Sequence, residues 1–286
     1  LTEWFFPPKD KNPLSPLPTI TFQGQDLTEG KFVWFGHSTL LMKTEGLVVM
    51  TDPVFNRASP LPSFSSKSKS SFFNGKPFVF ENPILIEDLP KVNIVIISHD
   101  HYDHLDSKAI KDLSNLVDHF IVPLGVGAHL ERWGVDKNKI TELDWYESKS
   151  YKDIEFIFAP SLHFSGRGIT NGNSTLWGSW IVKSKSLSAY FSGDGGYSET
   201  FKKLGNEYGP FDIAFIENGA YNIDWSNVHM FPDESVQASI DLKAKVLLPI
   251  HWSKFDLSIH PWDEPIIRVT QEAKKKNVKI ATPMIG

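Results

Sequence analysis

Residues 99–104 read His99-Asp100-His101-Tyr102-Asp103-His104 and follow directly on the apolar run Ile94-Val95-Ile96-Ile97. Imidazole and carboxylate together are the donor set for zinc and similar divalent ions. In extended chain, residues two apart point the same way, so His99 and His101 can converge on one ion. A tight turn at Asp103-His104 then presents a second pair beside the first, and the pattern reads as a two-metal hydrolytic site. Three further strand-like runs end in the same way: Phe156 to Pro160 runs into Ser161-Leu162-His163, Ala189 to Ser192 into Gly193-Asp194-Gly195-Gly196, and Val246 to Ile250 into His251-Trp252. Catalytic groups of open α/β sheets collect beyond the carboxyl ends of strands. Taken singly, His163, Asp194 or His251 would pass as a turn or core residue; with the hexapeptide they read as further ligands.

The elements that must deliver these side chains alternate along the chain. Lys31 to Phe35 and Leu47 to Thr51 read as strands with a hairpin turning at Glu45-Gly46, and Asn93 to Ser98 as a strand followed by a helix from Ser107 with Asp106 as N-cap. Ile121 to Pro123, Lys139 to Leu143, Ile154 to Ala159, Leu176 to Val182, Ala189 to Ser192, Ile213 to Glu217, Val246 to Ile250 and Val278 to Ala281 read as extended. Val126 to Trp133, Tyr197 to Leu204, Asp233 to Leu242 and Glu264 to Lys276 read as helices. Residues 1–30 form an arm rich in Pro and aromatics, with Trp4, Phe5 and Phe6 at its start, and 31–286 read as one domain. Residues 55–83 are a long loop with Phe55, Phe64, Phe72, Phe73, Phe78 and Phe80 among Lys67, Lys69 and Lys76. Such a loop suits a membrane interface, with rings at head-group depth and lysines on lipid phosphates, or a cover packed over a sheet edge.

Composition fits a soluble enzyme. A net charge of −5 argues against nucleic acid as the main partner, and no apolar stretch is long enough to span a bilayer. The chain has no cysteine, so any metal must sit in nitrogen and oxygen ligands. The first residue is Leu1 rather than methionine, which leads us to expect a removed upstream segment; the compartment stays open.

The order His99-x-His101-x-Asp103-His104, His163, Asp194, His251 resembles the metallo-β-lactamase superfamily. Within it the chain resembles the branch of N-acyl-phosphatidylethanolamine-hydrolysing phospholipase D and its bacterial relatives. Trp34-Phe35-Gly36-His37-Ser38-Thr39, Thr51-Asp52-Pro53, Arg57-Ala58-Ser59-Pro60, Leu176-Trp177-Gly178-Ser179-Trp180 and Ile250-His251-Trp252 carry the likeness, which runs from about residue 31 to 260. Two positions depart from the branch: Gly195 stands where the mammalian pattern has Thr, and Glu217-Asn218 precede Gly219-Ala220-Tyr221 where an apolar pair is expected.

The resemblance implies a four-layer αββα sandwich of the α/β class and two divalent ions, zinc by preference. It places His99, His101 and His163 on the first ion, Asp103, His104 and His251 on the second, and Asp194 on both, with Asp103 and Asp194 thereby part of the catalytic machinery. Asp52 is the candidate for orienting a ligand from behind, or else a cap on its turn before Pro53. His37 lines the cleft or caps its own turn. His229 precedes a helix and is read as touching substrate, as leaving-group acid or phosphate donor, with Tyr221 as a further substrate contact. His119, His129 and His260 read as structural or solvated. The function implied is a phosphodiesterase of phospholipase-D type acting on N-acylated phosphoethanolamine lipids or related diesters. A lactonase or β-lactamase-like hydrolase is the alternative on the same fold, and a non-catalytic binding protein is disfavoured by the full ligand set.

Overall fold

The computed structural model describes residues 10–59, 75–168 and 170–286. Its first sheet takes β1 (Phe32–Trp34), β2 (Leu40–Thr44), β3 (Leu47–Thr51), β4 (Val92–Ile96), β5 (Val117–Pro123) and β6 (Ile140–Leu143), in that spatial order. The first three strands pair antiparallel and the rest parallel. The second sheet, from β7 (Ser148–Tyr151) through β8 (Ile154–Ala159), β9 (Ser179–Lys183), β10 (Ser188–Phe191) and β11 (Ile213–Glu217) to β12 (Leu247–Ile250), also keeps chain order, with β10, β11 and β12 parallel.

Period-two alternation sorts the apolar side chains into layers. In β4, Ile94 and Ile96 face the space between the sheets, where they join Trp34, Val49, Phe156, Phe158, Trp180, Phe191, Phe215 and Leu248. Val95 and Ile97 face the other way, onto Ile110 and Leu113 of α1 (Ser107–Leu113) and Leu130 of α2 (Gly127–Arg132). The outer face of the second sheet, with Ile157, Ile181, Tyr190 and Ile216, is covered by Leu204 of α3 (Thr200–Glu207), Val236 of α4 (Pro232–Asp241) and Val269 of α5 (Glu264–Lys275). Helix, sheet, sheet, helix is the expected αββα order.

Several boundaries differ from the sequence reading. The strand that turns back on β3 at Glu45-Gly46 is β2, a segment not read as a strand, and β1 pairs with β2 rather than with β3. The largely exposed edge strand β7 carries no apolar pattern to reveal it. Residues 278–281 make only a single bridge, Ile280 to Leu247, and α3 starts at Thr200 rather than Tyr197. Asp106 does cap α1, its Oδ1 accepting from the Lys108 and Ala109 amides. Of the arm, Phe22 and Leu27 join the outer core of the first sheet, while Trp4, Phe5 and Phe6 lie outside the described residues. Of the aromatics in 55–83, Phe55 packs near Phe35, Phe78 near Trp262, and Phe80 on the inter-sheet core. Phe64, Phe72, Phe73, Lys67 and Lys69 lie outside the described residues.

Candidate metal centre

The polar residues that follow β3, β4, β8, β10 and β12 meet at one end of the two sheets, together with Glu217 at the end of β11. The backbone there is forced: His37, Asp52 and His251 have φ of 53°, 34° and 67°, a region that costs a non-glycine residue energy and persists only where its surroundings hold it. Two backbone hydrogen bonds supply that hold, the His251 amide to the His37 carbonyl and the His37 amide to the Trp252 carbonyl, both 3.0 Å. Gly193 lets the Asp194 loop reach the His99 loop, since a Cβ there would lie 2.6 Å from that of Ser98.

The imidazoles form two adjoining groups. In the first, His101 Nδ1 lies 2.9 Å from His99 Nε2 and 3.3 Å from His163 Nε2. The outer nitrogens are already committed: Nδ1 of His99 sits 2.9 Å from Ser98 Oγ, and Nδ1 of His163 donates to the Val228 carbonyl at 3.1 Å. Burial, with the neighbouring imidazoles, pushes His99 and His163 well below the usual histidine range. Unprotonated inward nitrogens with their outer N–H groups tied off leave lone pairs facing one another, an arrangement that a cation relieves.

The second group is lined by carboxylates. Asp103 Oδ2 lies 3.1, 3.3 and 3.5 Å from Nε2 of His37, His251 and His104. Asp194 Oδ2 lies 3.0 Å from His251 Nε2 and 3.1 Å from His104 Nε2, and it is 3.9 and 4.0 Å from the inward nitrogens of His163 and His99. Asp194 thus reaches both groups, and its buried Oδ1 has no hydrogen-bond partner among the described residues. Burial works to raise Asp103 and Asp194, but the adjacent histidines outweigh it and hold both well below the carboxylate range. Conversely Asp194 and Asp103 outweigh burial at His104 and His251, raising the first well above its ordinary value and the second to about 10. His37, buried and beside His251, is pushed down to about 3.

Donor types, convergence and the orphaned Asp194 oxygen all fit divalent cations in nitrogen and oxygen ligands. Behind them Asp52 Oδ2 sits 2.6 Å from His104 Nδ1 and accepts from Ser98 Oγ at 2.6 Å. His229 adjoins both groups, its ring 5.3 Å from those of His163 and His251. Tyr221 is placed otherwise: its hydroxyl donates to Glu264 Oε1 at 2.8 Å and its ring is buried against His260. His119 meets Thr141, and His129 meets Asp100 on the reverse of the hexapeptide.

Two contributors, Ser98 and Arg167, were not singled out from sequence. Ser98 links Asp52 to His99. Arg167 donates to the Asp100 and Leu105 carbonyls at 2.6 and 2.7 Å and stacks over Tyr102, fastening the hexapeptide loop. Glu217, noted from sequence as a departure from the branch and given no role there, ends β11 in one group with Asp194, His229 and His251.

A family model described as "Beta-lactamase superfamily domain" matches residues 48–252. The chain belongs to this superfamily. It is 40% identical over 282 residues to an uncharacterized protein of Mycobacterium tuberculosis, covering 96% of this chain and 73% of that one. It is 35% identical over 266 residues to N-acyl-phosphatidylethanolamine-hydrolyzing phospholipase D 1 of Caenorhabditis elegans, covering 87% of this chain and 72% of the relative. A metallo hydrolase from the archaeon Ignicoccus hospitalis shares the fold with a TM-score of 0.65 at 18% identity, over 89% of this chain and 95% of that one. As a superfamily member carrying these donor groups, the protein is a metal-dependent hydrolase. Among the described residues no helix is long and apolar enough to cross a membrane.

Proposed function

We propose that the protein is a two-metal phosphodiesterase of phospholipase-D type, acting on N-acylated phosphoethanolamine lipids or related phosphodiesters. The observation that carries the reading is Asp194, one carboxylate within 4.0 Å of inward nitrogens from both imidazole groups. His99, His101 and His163 would hold one divalent ion, Asp103, His104 and His251 the other, and Asp194 both, with zinc the metal best matched to the set. Bound there, the ions would lower the pKa of a water and neutralise charge on phosphoryl oxygens. The chain's own part is to aim those donors from Asp52, Ser98 and the Val228 carbonyl, and to place His37 and His229 beside the reacting phosphate.

The rim supports a lipid-like substrate. Phe164 packs on His101 and His163 yet stays 44% exposed, and Leu162 is 45% exposed, so apolar surface lies beside the donors. A lipid-surface contact through residues 55–83 belongs to the same proposal; co-sedimentation with anionic vesicles, weakened by salt, tests it.

A panel assayed with zinc-loaded protein tests the function: a bis-aryl phosphate, an N-acyl-phosphatidylethanolamine, an acyl-homoserine lactone and a chromogenic β-lactam. Cleavage of the two phosphodiesters, with an N-acylethanolamine released from the lipid, is expected. Turnover of the lactone or the β-lactam alone would overturn it.

A further inference from the structure

Glu217 is a fully buried carboxylate that the mechanism above leaves idle. Its backbone is pinned on both sides, the amide donating to Ser192 Oγ at 2.9 Å and the carbonyl accepting from Ser235 Oγ at 2.8 Å. Its Oε1 accepts from the Met230 amide at 2.6 Å, so the carboxyl group cannot swing away. That leaves Oε2, which lies 3.1 Å from His229 Nδ1 and 3.7 Å from His251 Nδ1. Burying a carboxylate costs free energy unless its oxygens are matched by donors. Here the donors are a backbone amide and the nearest imidazole.

We propose that Glu217 is a positioning residue for His229, fixing it with the proton on Nδ1 so that Nε2 is the lone-pair nitrogen offered to the cleft. A carboxylate only accepts, so the hydrogen of the 3.1 Å contact belongs to the imidazole. His229 Nε2 has no protein partner among the described residues, on a side chain 15% exposed. Because the Met230 amide is held by the same carboxyl group, one residue fixes both the backbone and the ring of this segment. The two rings flanking His229 belong to His163 and His251, one from each imidazole group, so its ring plane is set against both. This inference rests on the reading of His229 as the substrate-side group.

Glu217→Gln separates orientation from mere packing. The amide oxygen can keep the Met230 N–H, which turns the amide NH2 onto His229 Nδ1 and should move the imidazole proton to Nε2. The readout is long-range 1H–15N spectroscopy of histidine-labelled, zinc-loaded protein, with His229 assigned by its loss in His229→Ala. Wild type is expected to show Nδ1 protonated and Glu217→Gln the inverse. In the same variant kcat on bis(p-nitrophenyl) phosphate should fall about tenfold or more, with KM and bound zinc unchanged and no further loss when Glu217→Gln is added to His229→Ala. Glu217→Asp, which keeps an acceptor, should retain the wild-type tautomer and recover most of kcat.

An unaltered tautomer in Glu217→Gln, a metal-bound 15N shift at His229, or equal losses with and without His229 would overturn the assignment. Inversion of the tautomer with full kcat would keep the positioning role and instead overturn the substrate-side reading of His229, so the two failures are told apart.

Discussion

The two imidazole groups share a wall and differ in charge. His99, His101 and His163 face one another as nitrogens alone, two of them held well below the ordinary histidine range by burial. His104 and His251 face Asp103 and Asp194, and those carboxylates hold them well above it. The carboxylates of the second group thus favour protonated His104 and His251, whereas the first group offers neutral imidazoles. The difference teaches that a divalent ion would meet the two groups differently, taking lone pairs in one and competing with protons in the other.

The hardest way to break this picture is to remove what the groups have in common. Asp194→Ala should lower turnover by roughly a thousandfold and release metal from both groups, read by steady-state assay and elemental analysis; loss confined to one group would show that Asp194 serves only that one. Next, Asp52→Asn withdraws the acceptor 2.6 Å behind His104 and replaces it with an amide. Zinc affinity of the carboxylate-lined group should fall about 10- to 100-fold, with a smaller change at the other group, which Asp52 reaches only through Ser98. Competition with a chromophoric chelator measures both.

The proton contrast itself is open to calorimetry. Binding to the all-nitrogen group should vary little above pH 7, because His99 and His163 are already unprotonated there. Binding to the carboxylate-lined group must release the protons of His104 and His251, the latter held to about pH 10. Its affinity should therefore rise with pH, by up to about tenfold per unit for each proton released, until the histidine values are passed. Two equivalents with the same pH slope would remove the contrast. The smallest effect belongs to His37, which is uncharged and sits 3.1 Å from Asp103. His37→Ala should keep its zinc and lose only a few-fold in kcat/KM, against an unchanged His119→Ala.

Much of the centre was legible because parallel strands buried on both faces read as unbroken apolar runs, and the polar residue following each run marks where the sheet delivers its chemistry. Ile94 to Ile97 before His99 and Val246 to Ile250 before His251 show this plainly. Glu217 was legible as a departure from the branch but not as part of the centre, because it belongs to its strand by hydrogen bonding and the pattern counts it as an end rather than a delivered group. Tyr221 shows the converse: motif position places it near substrate, but its hydroxyl partner, Glu264, stands 43 residues on at the start of α5, and period and composition carry no trace of such a pairing. The edge strand β7 was invisible because both its faces are largely exposed, leaving no alternation to read.

The central claim is a pair of metal ions bridged by one carboxylate. Its most direct test is native mass spectrometry of zinc-reconstituted protein together with the Asp194→Ala variant. The account predicts two zinc ions per wild-type chain and loss from both positions in the variant. A wild-type chain saturating at one ion, or a variant that still holds two, would contradict it.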